Sequence, residues 1–268
     1  MEKEVIKQEV KKSYGYIAEN RNSAGCCSST DCCNKNAVDY THVDGYQKEA
    51  DLALGCGLPT EIANIKKGDT VIDLGSGAGN DVFIARKIVG ENGRVIGIDM
   101  TPEMINRALR NNQKLGYQNV EFLLGEIEDL QGVSNQTADV VISNCVMNLV
   151  HDKEKAFKEI FRVLKTGGHF SISDIVYVGY LPKGVLESVE MYASCMAGAS
   201  DKSRYLDIIK NVGFQNIQIK NERLVELPDD LLLKYISTDE LINYKQSNSA
   251  IYSVTIYADK LENLKFNC

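Results

Sequence analysis

From Val71 onward, short β-branched runs alternate with stretches of helical periodicity: TVIDL, DVFIARKIVG, RVIGID, PEMINRALRNNQKLG, VEFLLG, DVVISN at 139–144, AFKEIFRVLK and HFSISDIVYV at 169–178. This order is the signature of βαβ units in a parallel sheet with helices on its faces. Helical patterning around 182–198 and 201–212 precedes two more strand candidates at 215–225 and 250–258. Upstream, Val5, Ile6, Val10, Tyr14 and Ile17 recur at helical spacing, which predicts one amphipathic helix over 3–20. The expected organisation is an N-terminal helix with a mobile cysteine-rich arm (1–44), a Rossmann-like ligand-binding domain (45–178), and a substrate cap with a sheet-completing segment (179–268).

The glycines of DLGSGAGND sit where the first strand meets the first helix of that series. Gly75, Gly77 and Gly79 let the backbone turn sharply and approach a ligand, and the helix that follows favours an anionic group. The dinucleotide fingerprint has a further glycine where this chain has Asn80, which argues against a nicotinamide cofactor. Asp99 ends the second strand, a position from which a carboxylate can accept hydrogen bonds from two ribose hydroxyls. A nucleoside joined to an amino acid meets both demands, and S-adenosylmethionine (SAM) is such a ligand. Another nucleotide-binding α/β domain is the alternative on this pattern alone.

Charge and cysteine content restrict the partners. With 30 basic and 37 acidic residues the net charge is −7, and no basic cluster offers a nucleic-acid surface. No apolar run is long enough to span a bilayer and the N-terminus lacks a secretion signal, so a cytoplasmic location is expected, without a membrane partner. In a reducing compartment eight cysteines point to metal binding or redox chemistry rather than to disulfides, unless some are small core residues. Four crowd into GCCSSTDCCN as Cys26, Cys27, Cys32 and Cys33; Cys56 lies between two glycines, Cys145 follows the fourth strand, and Cys195 lies near the end of a predicted helix. The carboxyl end of a strand is where open α/β sheets place ligands, which puts Cys145 at the mouth of the site. His42, His151 and His169 follow no ligand spacing and are expected to be structural or exposed.

These phrases together resemble the arsenite methyltransferases. The likeness runs through SYGYIAEN, ADLALGCGLPT, VIDLGSGAGND, VIGIDMTPEMINRA, LLGEIEDL, VISNCVMNL, FRVLKTGGHFSISDI, YASCMAGAS and YSVTIYADK. It implies a class I SAM-dependent methyltransferase fold, mainly parallel and seven-stranded, and transfer of methyl groups from SAM to trivalent arsenic in arsenic detoxification. Cys56, Cys145 and Cys195 become the arsenic-binding, catalytic thiols, with Cys26 or Cys27 as a further N-terminal one. Cofactor contacts are expected from Asp73, Gly75, Ser76, Gly77, Gly79, Asp99 and Met100, from Glu126 and Ile127 near the adenine, and from Asn144 at the methionine part.

Trivalent arsenic is soft, three sulfurs satisfy its valences, and its lone pair can take a methyl group without a general base. The pentavalent product is reduced by a thiol pair, and a cellular thiol or thioredoxin-type reductant reopens the resulting disulfide. The expected substrates are arsenite and methylated trivalent arsenicals. Family members often carry a longer C-terminal region with its own cysteines, whereas this sequence ends at Cys268, so product release or the extent of methylation is expected to differ. The resemblance assigns no role to Cys32 and Cys33. Two other readings are a methyltransferase for a small organic acceptor and a non-catalytic zinc- or arsenic-binding protein. Adjacent cysteine pairs fit the usual spacing of structural zinc ligands poorly.

Overall fold

The series of β-branched runs forms one sheet. The computed structural model describes residues 3–20, 38–186 and 198–262. In chain order the elements are α1 (Lys3–Asn20), α2 (Pro59–Ile62), β1 (Thr70–Leu74), α3 (Asn80–Val89), β2 (Arg94–Asp99), α4 (Pro102–Leu115), β3 (Val120–Leu124) and β4 (Ala138–Asn144). A 3₁₀ turn (Met147–Leu149), α5 (Lys153–Val163), β5 (Leu164–Val178) and α6 (Lys183–Leu186) follow. The last are β6 (Ser200–Asp201), α7 (Lys202–Val212), β7 (Gln215–Val225), α8 (Asp229–Leu232), α9 (Thr238–Gln246) and β8 (Ala250–Asp259).

The strands run in the order β3-β2-β1-β4-β5-β8-β7. Adjacent pairs among β1 to β5 are parallel, while β8 is antiparallel to both β5 and β7. The expected mainly parallel sheet is present, with eight strands among the described residues rather than seven, and β7 and β8 belong to it. The two-residue β6 was not expected. It pairs in parallel with Val176 and Tyr177 of β5, beyond Ser173, where β4 stops at Asn144. Because β8 follows β5 from His169 to Val178 along the other edge, β6 takes the place that β4 leaves when the chain turns away at Cys145.

Local chemistry accounts for the boundaries. Gly90, Gly116 and Gly213 cap α3, α4 and α7, the last two in the left-handed conformation that lacks a steric penalty only for glycine. Asp152 and Asp201 accept backbone N–H bonds at the starts of α5 and α7, and Ser237 and Glu240 form a reciprocal capping box on α9. Helix α1 packs on α4 and spans its expected range; a Cβ on Gly15 would lie 3.1 Å from Glu103 Oε2, so a side chain there would crowd the approach. Of the helix expected over 182–198, Lys183–Leu186 falls within the described residues and the stretch from 187 to 197 lies outside them. Helices α8 and α9 were missed because their apolar spacing is short and interrupted.

Both faces of β1 and β4 are buried, as parallel strands between helical layers require. On one face Phe157 of α5 is surrounded by Phe170, Tyr205 and Phe214, at ring-centroid distances of 5.7, 5.6 and 6.5 Å. This cluster joins α5 and α7 to the sheet at Phe170, which is in register with Val141 in the middle of β4. Phe157→Ala should destabilise the chain by about 3–5 kcal/mol, as truncation of a fully buried aromatic does; a denaturant midpoint close to wild type would exclude that role.

Candidate active site

The carboxyl ends of β1, β2, β3 and β4 surround a cavity of about 400 Å³. Its floor is the glycine loop. Gly75, Gly77 and Gly79 all have positive φ, and a Cβ on Gly75 would lie 2.4 Å from Val146, so the turn leaves no room for a side chain there. Asp73, Ser76, Asp99, Met100, Glu126, Ile127 and Asn144, all expected at the cofactor, line this cavity together with Gly75 and Gly77. Gly79 is set back, a would-be Cβ meeting Phe83 at 2.8 Å, so it serves the packing of α3.

Three carboxylates converge on the loop. Burial raises Asp73 well above the ordinary carboxylate range, with Asp81 and Asp99 adding to the effect. Asp99 is raised by burial and pulled back by the N–H groups of Thr101 and Gly77; its Oδ2 accepts from Gly77 N at 2.9 Å and its Oδ1 from Thr101 N at 2.8 Å. Burial lifts Asp81 to about 6 against the hydrogen bonds of Asn144 and Tyr40. Ser76 Oγ and Asn80 Oδ1 are buried and have no hydrogen-bond partner among the described residues, and both residues line the cavity. Such a pocket has donors and acceptors to offer, and its crowded carboxyls suit a cationic group better than a pyrophosphate.

Helix α1 supplies a wall. Glu4, Lys7, Val10 and Tyr14 face the cavity, and Lys7 and Lys11 pair with Glu126, the latter at 3.4 Å. The Lys7 hydrogen bond is the main reason that the Glu126 carboxyl lies below its ordinary range. Sequence reasoning placed Glu126 at the cofactor but did not anticipate its pairing with α1, because the two lie far apart in the chain.

Asn144 joins the Cys56 loop to the strand end that bears Cys145. Its Oδ1 accepts from the backbone N–H groups of Cys56 and Gly57, at 3.0 and 3.2 Å. Its Nδ2 donates to Gly57 O at 2.9 Å, to Asp81 Oδ2 at 3.1 Å and to the Tyr40 hydroxyl. The Tyr40 hydroxyl donates in turn to Asp81 Oδ2 at 3.1 Å and also lies 3.0 Å from Gly57 O. One amide thus fastens the Gly55–Cys56–Gly57 loop to the strand end carrying Cys145. A side chain at Gly57 would meet Ser173 Oγ at 2.4 Å, and one at Gly55 would meet Asn144 Nδ2 at 2.8 Å. The glycines flanking Cys56 are there because the loop is pressed against the sheet.

Cys56 and Cys145 are 6% and 7% exposed and belong to one apolar cluster with Ile175, Leu181, Val185 and Ile251. Cys145 also lines the cavity and has a φ of +60°, a left-handed conformation uncommon for a non-glycine residue and a mark of local strain. Its N–H reaches Ser173 O at 2.7 Å, and Ser253 Oγ donates to Cys56 O at 2.7 Å. Cys195, Cys26, Cys27, Cys32, Cys33 and Cys268 lie outside the described residues. Tyr40 and Asp81 were not singled out from the sequence. Asp81 closes the quoted glycine motif and could have been noticed there, whereas Tyr40 sits in a stretch without periodicity. Among the histidines, His42 lies near Glu61 at the surface, His151 lines the cavity, and His169 stacks on Tyr257.

The family profile described as a methyltransferase domain matches residues 65–213. An arsenic(III) S-adenosylmethionine methyltransferase from Chlamydomonas reinhardtii is 33% identical in its crystal structure, with a TM-score of 0.67 over 78% of this chain and 68% of that one. The chain belongs to the arsenite methyltransferase family. An arsenite methyltransferase of Halobacterium salinarum is 43% identical over 198 residues, 73% of this chain and 50% of the relative. One from Aquipseudomonas alcaligenes is 28% identical over 97% of this chain and 74% of its own length. The match thus spans about half the length of the Halobacterium family member.

The buried Asp81 gives this family member a pH signature. Its folded pKa of about 6 lies above the unfolded value of 3.8, so the native state binds the extra proton and stability from this group falls as pH rises between those values. Relative to wild type, Asp81→Asn should gain about 1–3 kcal/mol of unfolding free energy between pH 4 and pH 7. A difference that is flat over this range would show that folding does not raise the Asp81 pKa.

Proposed function

We propose that this chain transfers methyl groups from SAM to trivalent arsenic held by protein thiolates. The observation that carries the reading is the Asn144 clasp, which brings the loop of Cys56 and the turn of Cys145 together beside the cavity.

The cavity suits SAM. A bound cation relieves the burial and mutual repulsion that oppose ionisation of its three carboxyls, so the cavity favours the sulfonium and ammonium groups of that ligand, and Ser76 Oγ and Asn80 Oδ1 offer polar atoms that have no partner among the described residues. Asp99 would hold the ribose, and Ile127 would lie against the adenine. When bound, SAM supplies an electrophilic methyl group to the arsenic lone pair.

The residues of the chain prepare the acceptor. Cys56 and Cys145 offer soft sulfur ligands from an apolar cluster that excludes water, and Cys195 is assigned as the third. Asn144 sets the Cys56 loop against the strand end that bears Cys145 by binding the loop's backbone. Positioning supplies most of the catalysis and no side-chain base is required. Gaining a methyl cation oxidises arsenic formally by two electrons; two thiolates return them by forming a disulfide, and an external thiol or thioredoxin-type reductant restores the thiols. Cys26 or Cys27 is assigned to this step, within an arm over 1–44, and residues 179–268 form the arsenic-side cap and complete the sheet. No helix among the described residues is long and apolar enough to cross a membrane, and the assigned setting is the cytoplasm, where such a reductant is available.

Incubation with arsenite, SAM and a thiol, followed by separation of arsenic species, tests this reading. Cys145→Ser should lose at least about a hundredfold in methylation of both arsenite and a monomethylated arsenical. Cys56→Ser should impair arsenite more than the methylated substrate, which has one fewer valence to fill. A Cys145→Ser variant as active as wild type would instead favour an organic acceptor. Separately, Asp99→Ala should weaken SAM by about 1–3 kcal/mol in calorimetry and leave arsenite binding unchanged; an unaltered SAM affinity would remove Asp99 from the ribose.

A further inference from the structure

Beneath the thiols lies a buried polar set that the proposed reaction does not use. Asp174 of β5 has no exposed surface, and it follows Ser173, whose carbonyl accepts the Cys145 N–H. Tyr205 of α7, equally buried, donates to Asp174 Oδ2 at 3.2 Å. Burial lifts the Asp174 carboxyl to about 7, opposed by the charge of Lys153, the N–H groups of Ile175 and Asn148, and the Tyr205 hydroxyl. Asn148 belongs to the 3₁₀ turn that follows Cys145, so the carboxyl acts on the chain just after that residue while the neighbouring Ser173 carbonyl holds the N–H of Cys145 itself.

Lys153 is placed at a cost. It is the first residue of α5, where the helix dipole disfavours a cation, and desolvation lowers its pKa further. Asp174 and Glu128 counter that lowering, whereas Arg204 adds to it. Its Nζ donates to Val150 O at 3.1 Å and to Gly198 O at 3.3 Å. It therefore ties the turn after Cys145 to the chain entering β6, the strand that continues the ladder where β4 ends. The set is also coupled electrostatically to both thiols: after burial and Asp174, Cys56 and Cys145 are the groups that raise the Tyr205 phenol. Apolar residues of similar volume would stabilise this core as well or better. What they would not do is direct hydrogen bonds at chosen backbone atoms.

We propose that Asp174, Lys153 and Tyr205 are positioning residues that hold the Cys145 turn in its left-handed conformation, so that its thiol meets that of Cys56 at the arsenic site. The arsenic part of this inference rests on the function proposed above.

The test compares Lys153→Met, Lys153→Arg and Tyr205→Phe with wild type. Arsenite and SAM affinities are measured by calorimetry, and the rate of Cys145 alkylation by iodoacetamide is read by peptide mass spectrometry. Lys153→Met should weaken arsenite by about tenfold or more, alter Cys145 alkylation severalfold and leave SAM affinity within about twofold. Lys153→Arg, still able to bridge two carbonyls, should recover most of the loss, and Tyr205→Phe should shift in the same direction as Lys153→Met by less. Unchanged arsenite affinity and alkylation in Lys153→Met would overturn the proposal, as would a parallel loss of SAM and arsenite. If wild type itself fails to bind arsenite, the functional reading falls, and the alkylation rates alone then decide whether the set positions Cys145.

Discussion

The side-chain amide of Asn144 is the interaction on which the arrangement of the site depends. A cysteine loop between two glycines has little structure of its own, and Cys56 lies far in sequence from Cys145. Asn144 uses both ends of its amide at once, accepting from the N–H groups of Cys56 and Gly57 and donating to Gly57 O and Asp81. Because it immediately precedes Cys145 at the end of β4, the loop is registered against the strand that bears the second thiol. Buried amides satisfied in this way specify one geometry, since leaving any of these groups unpaired costs about 1–3 kcal/mol.

The same network reaches the cavity. Asp81 begins the helix that follows the glycine loop and takes hydrogen bonds from Asn144 and Tyr40, so the thiol loop and the cofactor-facing loop share a partner. A ligand whose positive charge eases the crowding of Asp73, Asp81 and Asp99 acts on a carboxylate that also helps to hold the Cys56 loop. Below the thiols, the Asp174 set plays the corresponding part for Cys145. Apolar side chains, among them Ile175, Val185 and Ile251, pack with Cys56 and Cys145 in one buried cluster.

Much of this protein was legible in the sequence. The β-branched runs and the helical spacings between them determined the parallel sheet, because period-2 and period-3.6 patterns bury opposite sets of side chains and cannot be exchanged. The glycines at 75 and 77 and the acid at Asp99 located the ligand end of that sheet, and Cys145 fell at its mouth because a strand end is a position that sequence order specifies. Only the tertiary structure decided the rest. That the Cys56 loop is fastened to the residue before Cys145, that Glu126 faces lysines of α1, and that Tyr40, Asp81 and Asn144 close one network are contacts between distant segments. Local propensity carries no trace of such contacts, since they depend on which faces meet when the layers pack.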